Sequence, residues 1–499
     1  ECPTRRWPGR RKEGSSMSPR ARTLWTFAVT AVALLMVTLD NLVVVTALPV
    51  IRVDLGAGLD GLEWTVNAYT LTFAVLLLTG AALGDRFGRR RLFVIGLAMF
   101  TGASAAAALS GSIESLIVAR AVQGAGAAIV VPLTLTLLSA AVPVERRGLA
   151  LGAWGAVGGL AIALGPVIGG AIVEGINWHW IFWLNVPVGI ALIPLARLRL
   201  TESRGPSDRL DLPGLALASG GLLAVVWGLI RGNPDGWTSP TVLGALLVGG
   251  LLLTAFVAWE RRAPAPMLPL RFFRRRAFSM ANLASLLMYF GMFGSIFLLA
   301  QFLQVVQGYS PFQAGLRVLP WTIAPIFVAP IAGALSDRVG GGLLMGLGLS
   351  LQALGLAWLA VVASPTVPYT QLIVPFLVSG VGMGLFFAPV ANVVLSAVRP
   401  QEEGQASGAN NAIREVGGVF GVAVLASVFS QAGGYTSPQA FVDGLHAAVL
   451  VGALVVACGA IAAFAVPRVR HAISLELVPA PDGGPRVGEP EPVYVSADQ

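Results

Sequence analysis

Stretches of about twenty apolar residues follow one another along nearly the whole chain, separated by short polar or basic loops, and runs of that length are what a bilayer core requires. No water is available there to satisfy backbone N–H and C=O groups, so each run has to be a helix. The expected fold is therefore an all-α polytopic membrane protein. Fourteen spans can be drawn: 24–48, 64–83, 92–110, 114–139, 148–172, 178–196, 211–230, 241–259, 278–306, 312–335, 343–363, 370–395, 405–430 and 446–466. Composition agrees. Charged residues make up 12% of the chain and hydrophobic residues 56%, against about 25% charge in soluble domains.

One charged turn organises these runs. Ala81–Leu92 reads Ala-Ala-Leu-Gly-Asp-Arg-Phe-Gly-Arg-Arg-Arg-Leu, and a second copy recurs at Gly333–Gly340. Both read small-x-Leu-small-Asp-Arg-x-Gly and both follow a spanning run, the signature of two related halves with the two turns on one membrane face. The arginines point the same way. With the N-terminus inside, the arginines flanking the spans gather on the inner face, and only Arg52 and Arg231 fall in outer loops; this is the positive-inside pattern. The net charge of +8 is accounted for by that asymmetry, so it does not argue for a nucleic-acid partner.

The turns follow spans 2 and 10, whereas two six-helix halves would place them after spans 2 and 8. Spans 7 and 8 are then a central insertion. The expected organisation is a basic cytoplasmic tail over 1–23, a first six-helix bundle over 24–196, two added spans with basic linkers over 197–277, a second bundle over 278–467 and a flexible cytoplasmic tail over 468–499. Met17 is a candidate start, with 1–16 upstream of it. The location implied is the inner, cytoplasmic membrane, multi-pass, with both termini cytoplasmic.

Charges inside hydrocarbon are costly and are functional candidates by default. Asp40 lies nine residues before Pro49, roughly 13 Å below the outer end of span 1, and Arg120 lies roughly 10 Å into span 4. The two share a depth. Burial disfavours a charged carboxylate and a neighbouring guanidinium favours it, so a pair that forms and parts can take up and release a proton; a permanent structural ion pair is the alternative. Arg414 and Glu415 fall near the middle of span 13. Consecutive residues point about 100° apart on a helix, so they need not pair, and Glu415 is free to bind a cation, titrate or meet another helix. Arg317 lies just inside span 10, where snorkelling to the outer surface accounts for it.

Gly165-Pro166-x-x-Gly169-Gly170 in span 5 combines small residues that let another helix approach with a proline that removes a backbone bond. Asn41, Asn67, Tyr69, Gln301, Gln304, Asn392, Asn411 and Glu415 are candidates for a substrate cavity, or for interhelical hydrogen bonds. Trp178, His179, Trp180 and Trp183 read as an outer interfacial belt. No nucleotide-binding lysine motif, nucleophile elbow or metal-ligand spacing occurs, so no enzyme activity, cofactor, metal or nucleotide partner is implied. The partners expected are a small-molecule substrate, protons and the lipid bilayer.

At this point the chain resembles the major facilitator superfamily, and within it the 14-spanning drug/proton antiporters. The residues that carry the resemblance are the Ala81–Leu92 loop, Leu39-Asp40…Ala47-Leu48-Pro49, Trp64…Tyr69-x-Leu71, Leu116-x3-Arg120-x2-Gln123-Gly124, Gly165-Pro166-x2-Gly169-Gly170 and Phe182-x2-Asn185-Val186-Pro187-x-Gly189. The resemblance implies alternating access by two six-helix bundles and proton-coupled export of amphipathic, cationic or aromatic small molecules, as in multidrug efflux and antibiotic resistance. It implies proton coupling through Asp40 and Arg120, with Glu415 matching an acidic position of relatives that export cations. It also implies an inner-gate loop motif of Asp85, Arg86, Gly88, Arg89 and Arg90, in which Asp85 with Arg89 and Arg90 stabilises one state of the gate. Leu42 and Val45 replace polar residues usual after the first-span aspartate, which leaves open the export of one dedicated metabolite. A non-transporting membrane sensor is a remoter reading.

Overall fold

The computed structural model describes residues 19–143, 147–204, 211–399, 402–467, 477–479 and 485–487. Its first six helices are α1 (Pro19–Asp54), α2 (Leu59–Phe87), α3 (Arg89–Ala108), α4 (Ile113–Ala141), α5 (Arg147–Gly175) and α6 (Trp180–Arg199, broken once at Leu184). An antiparallel pair follows, α7 (Leu212–Asp235) and α8 (Pro240–Glu260). The last six are α9 (Arg276–Gln301, continued by a π-turn over Phe302–Val306), α10 (Pro311–Val339), α11 (Gly341–Val362), α12 (Tyr369–Ser396), α13 (Glu403–Ala432) and α14 (Pro438–Phe464). Among the described residues, thirteen helices are long and apolar enough to cross a membrane, and α2 makes the fourteenth when its segments Leu59–Leu77 and Thr79–Phe87, set at 50°, are taken as one span. The bend falls beside Thr79-Gly80, a residue pair of the kind at which helices kink.

Several helices begin a turn or more before the apolar runs that announced them: α2 at Leu59 and α14 at Pro438. Their first turns are polar. Ser437, for example, caps α14 by accepting from the Ala440 N–H. An apolar window sees only the part of a helix that lies in hydrocarbon, so Glu63, just outside the expected span, is inside α2. The expected tails, together with Arg146, Arg209, Arg468 and Arg470, lie outside the described residues, apart from the start of α1 and a short antiparallel ribbon pairing Leu477 with Val487.

The repeated turn has one geometry in both places. Gly88 ends α2 at φ +107°, ψ 123°, and Gly340 ends α10 at φ +94°, ψ 132°. Each donates its N–H to the carbonyl four residues back, Gly84 and Ser336, at 3.0 Å. A positive φ of this size suits glycine and strains other residues, which explains why the glycine survives in the weaker copy.

Two long seams join the first six helices to the last six, α2 along α13 and α5 along α10. The α7–α8 pair packs on itself and, through α7, against both α2 and α13.

Candidate functional site

Asp40 and Arg120 touch. The Arg120 Nη1 lies 2.5 Å from the Asp40 Oδ2, and both side chains are buried from solvent. Asp40 Oδ1 accepts from Gln123 Nε2 at 2.8 Å and from Asn185 Nδ2 at 2.7 Å. Gln123 Oε1 in turn accepts from Arg120 Nη1 at 2.8 Å, and Ser104 Oγ accepts from Asn185 at 3.0 Å and donates to the Phe182 carbonyl. The guanidinium also donates Nε to the Thr65 carbonyl and lies 4.1 Å from the centre of the Tyr69 ring. Five helices (α1, α2, α3, α4 and α6) therefore converge on one charge pair. Arg120 Nη2 remains buried with no partner among the described residues.

This cluster contains more than the pair read from the sequence. Gln123 and Asn185 stood in the quoted motifs with no role attached, and Ser104 in none. Gln123 lies one turn after Arg120 on α4, so that turn supplies both a cation and an amide to the same carboxylate. Gly124 lets α4 come close enough, since a Cβ there would collide with the Tyr69 carbonyl.

Glu415 is 8% exposed, on α13, and its Oε2 has no partner among the described residues. It does not pair with Arg414, whose guanidinium lies 5.0 Å from the centre of the Tyr289 ring. Tyr69 is within electrostatic reach of both Asp40 and Glu415.

The other candidates scatter. Asn67 is fully buried on α2 with neither amide atom bonded among the described residues, and Asn41 has an Oδ1 with no partner among them. Gln301 is fully buried and bonded to the Phe297 carbonyl and the Tyr435 hydroxyl, while Gln304 donates to the Thr46 carbonyl at 2.8 Å. Those two amides are occupied in this conformation. Asn411 is half-buried and Asn392 exposed.

The Gly165–Gly170 string has two faces. A Cβ at Gly165 or Gly169 would press on Leu42, or on Thr46 and Val43, of α1. A Cβ at Gly170 would strike the Pro311 carbonyl of α10. Gly315 of α10 reciprocates, because a Cβ there would strike the Pro166 carbonyl. The string thus forms a crossing point between the first six helices and the last six.

The loop residues are bound locally. Asp85 pairs with Arg89 at 2.8 Å. Glu202, which the sequence did not single out, accepts the Arg90 and Arg91 N–H groups at 2.9 and 3.2 Å and so caps α3. Arg90 Nη1 donates to the Arg197 and Leu200 carbonyls, and Arg86 extends outward over Phe87.

The links between the two groups of helices lie at midspan or toward the end opposite those arginines. Glu174 accepts from Ser310 Oγ at 2.5 Å and from the Phe312 N–H, Arg52 stacks 3.4 Å from the centre of the Tyr435 ring, and Thr322 donates to the Ala163 carbonyl. Trp178 corrects the interfacial reading: it is 2% exposed, donating to Asp54 at 2.7 Å as part of the core. Trp180 alone of the group is largely exposed. Arg317 is half-buried against Tyr309 and Tyr369, its Nη1 on the Gln313 carbonyl one turn nearer that end.

Comparison with known proteins follows the same lines. The profile of the Major Facilitator Superfamily matches residues 30–422 and again 281–477. The tetracenomycin C resistance and export protein of Streptomyces glaucescens is 35% identical over 85% of this chain and 79% of its own length. The multidrug resistance protein Stp of Mycobacterium tuberculosis is 36% identical over 82% and 76%. In fold, the chain superposes on a bacterial homologue of the human lysosomal transporter Spinster, solved in an inward-facing, unoccupied conformation, with TM-score 0.63 at 17% identity, covering 91% of this chain and 98% of that one. The chain belongs to the major facilitator superfamily and is a multi-span membrane transporter, not an enzyme.

Proposed function

We propose that this transporter is a proton-coupled antiporter that exports amphipathic, cationic or aromatic small molecules across the cytoplasmic membrane by alternating access. Its two six-helix halves, 24–196 and 278–467, rock about a midplane cavity, with α7 and α8 as an added pair. The arginine-bearing end is cytoplasmic, by the positive-inside rule, and so are both termini. With the opposite end held shut by Glu174, Arg52 and Tyr435, the present conformation is the one that accepts substrate from the cytoplasm.

One observation carries the reading: a fully buried carboxylate, Asp40, held by a single cation and two amides that lie on other helices. Two charges removed from water are tolerated only while they stay paired and hydrogen-bonded. A helix movement that draws α4 away from α1 takes Arg120 and Gln123 with it and leaves the carboxylate with only the Asn185 amide in otherwise apolar surroundings, where it binds a proton; the reverse movement returns Arg120 and expels it. Glu415, with one oxygen free, offers the charge that a cationic substrate needs. Expressed in a drug-sensitive bacterium, the chain should lower ethidium accumulation, and a protonophore should remove the difference. Asp40→Asn should reach the membrane at the normal level yet export at least about 100-fold more slowly, the scale of losing a proton-transfer group. Undiminished export by that variant would contradict the assignment.

The same carboxylate also serves a second reading, export of one dedicated metabolite. The name of the Streptomyces relative, which couples resistance and export to a single antibiotic, supports it. A broad dye and drug panel separates the two, since a dedicated exporter protects against one chemical class only.

A further inference from the structure

Glu63 has no part in the site above. It lies on α2 near the closed end, 3% exposed, and its Oε2 has no hydrogen-bond partner among the described residues. It borders a cavity of about 330 Å³ lined also by Asp60 of α2, Ile230 and Asn233 of α7, and Ser427 and Ser430 of α13. The cations nearby already have partners, one of them Asp60 of this lining. Arg231 pairs with Asp60 and Asp235, and Arg52 stacks on Tyr435. Among the described residues, α13 contributes Ser427 and Ser430 to the lining, and the titratable groups within electrostatic reach of Glu63 include Asp60 and Tyr435.

The helical register extends this picture. Glu63, Asn67, Leu71 and Val75 recur every fourth residue on α2, and Glu415, Val419, Ala423 and Ser427 do so on α13. Residues at that spacing share one helix face. Leu71 and Val75 pack with Val419 and Ala423 in a single apolar cluster. The α2–α13 seam thus has an apolar plug at its middle, Glu415 on one side of it, and Asn67 and Glu63 on the other. Buried polar groups are nearly always hydrogen-bonded. Here the Asn67 amide and one oxygen each of Glu63 and Glu415 have no partner among the described residues along one seam.

We propose that Glu63 is a second cation-binding carboxylate, on the far side of the plug from Glu415, which receives a cation released through the seam when α2 and α13 part. The cation is a proton or the charged group of an organic cation. The proposal rests on the antiport reading and adds a step to it.

The test uses the full-length chain in liposomes with a pH-sensitive dye inside, with ethidium as cationic probe and Nile red as neutral probe. Asp40→Asn serves as the control for coupling. If Glu63 receives an organic cation, Glu63→Gln slows ethidium export about tenfold, the scale of one lost charged contact, and leaves Nile red export unchanged. If it receives a proton, fewer protons move per molecule exported, for both probes. Unchanged rates and unchanged proton counts in Glu63→Gln, with Asp40→Asn inactive, overturn this proposal alone. A wild type that exports neither probe overturns both readings. Glu63→Asp keeps the charge and should restore the lost behaviour, which separates a binding role from loss of folding.

Discussion

At the scale of single residues, Asp40 is held by more than its ion pair. Arg120 neutralises it, but Gln123 and Asn185 satisfy its second oxygen and fix its rotamer. Removing one partner of a buried pair leaves an uncompensated charge and costs about 3–5 kcal/mol. Arg120→Leu should therefore destabilise the purified protein by that amount, and Arg120→Leu combined with Asp40→Asn should recover most of it, read as melting temperature in detergent. Equal melting temperatures for the single and double variants would mean that the pair is solvated. Asn185→Leu removes one donor and should cost about 1–3 kcal/mol. The shared depth of Asp40 and Arg120 was legible in the sequence, because helix rise per residue is fixed and depth can be counted from each helix end; that they touch was not. Gln123, Asn185 and Ser104 were not, because which faces meet depends on how five helices are rotated against one another, and the apolar pattern of a buried span leaves that rotation unspecified.

At the scale of elements, the glycines divide by role. Gly88 and Gly340 are turn residues at positive φ, and their sequence repeat announced them. Gly170 and Gly315 are contact residues. The first was visible within its string, whereas Gly315 is a lone glycine whose meaning comes only from the helix it faces. Gly315→Leu should push α5 from α10, with an overpacking penalty of about 1–3 kcal/mol. The expected readout is a lower melting temperature and faster labelling of a cysteine placed at Ser310, and an unchanged labelling rate would contradict the contact. At the arginine-bearing end, Glu402 pairs with Arg399 within the α12–α13 loop at 2.7 Å and ties that loop to the basic linker through Arg271 at 2.8 Å. The hydrogen bond from Arg399 above all, with the Arg271 charge, lowers the Glu402 carboxyl from its usual 4.5 to about 2. A lowered value means stabilisation that is complete above about pH 4.5 and is lost as pH falls towards 2. The melting-temperature gap between wild type and Glu402→Gln should be constant from about pH 6 to 8 and shrink below about 4.5; a gap that widens in acid would reverse the sign. Trp178 shows the limit of composition. Its place at a helix start suggested the membrane interface, but its indole N–H found Asp54, and a satisfied indole can be buried.

At the scale of the whole molecule, the two ends differ. Among the described residues, none of the ion pairs at the arginine-bearing end, Asp85 with Arg89, Arg90 with Glu202 and Glu402 with Arg271 and Arg399, joins the first six helices to the last six. At the other end, Glu174, Arg52 and Gln304 reach across. Stability is thereby concentrated at one end, the asymmetry expected of one state of a two-state carrier. The all-helical fold and its span count were legible because backbone satisfaction in hydrocarbon leaves few alternatives. The conformation was not, since under the proposed alternating-access cycle one sequence fits both states with a small free-energy difference.

The most direct test of coupling at Asp40 is proton movement itself. The purified chain is placed in liposomes containing a pH-sensitive dye, a proton gradient is imposed, and ethidium is added. Coupling at Asp40 requires that ethidium trigger proton leakage in the wild type and none in Asp40→Asn. Leakage of equal size in both would show that the proton travels by another route and that the buried pair is purely structural.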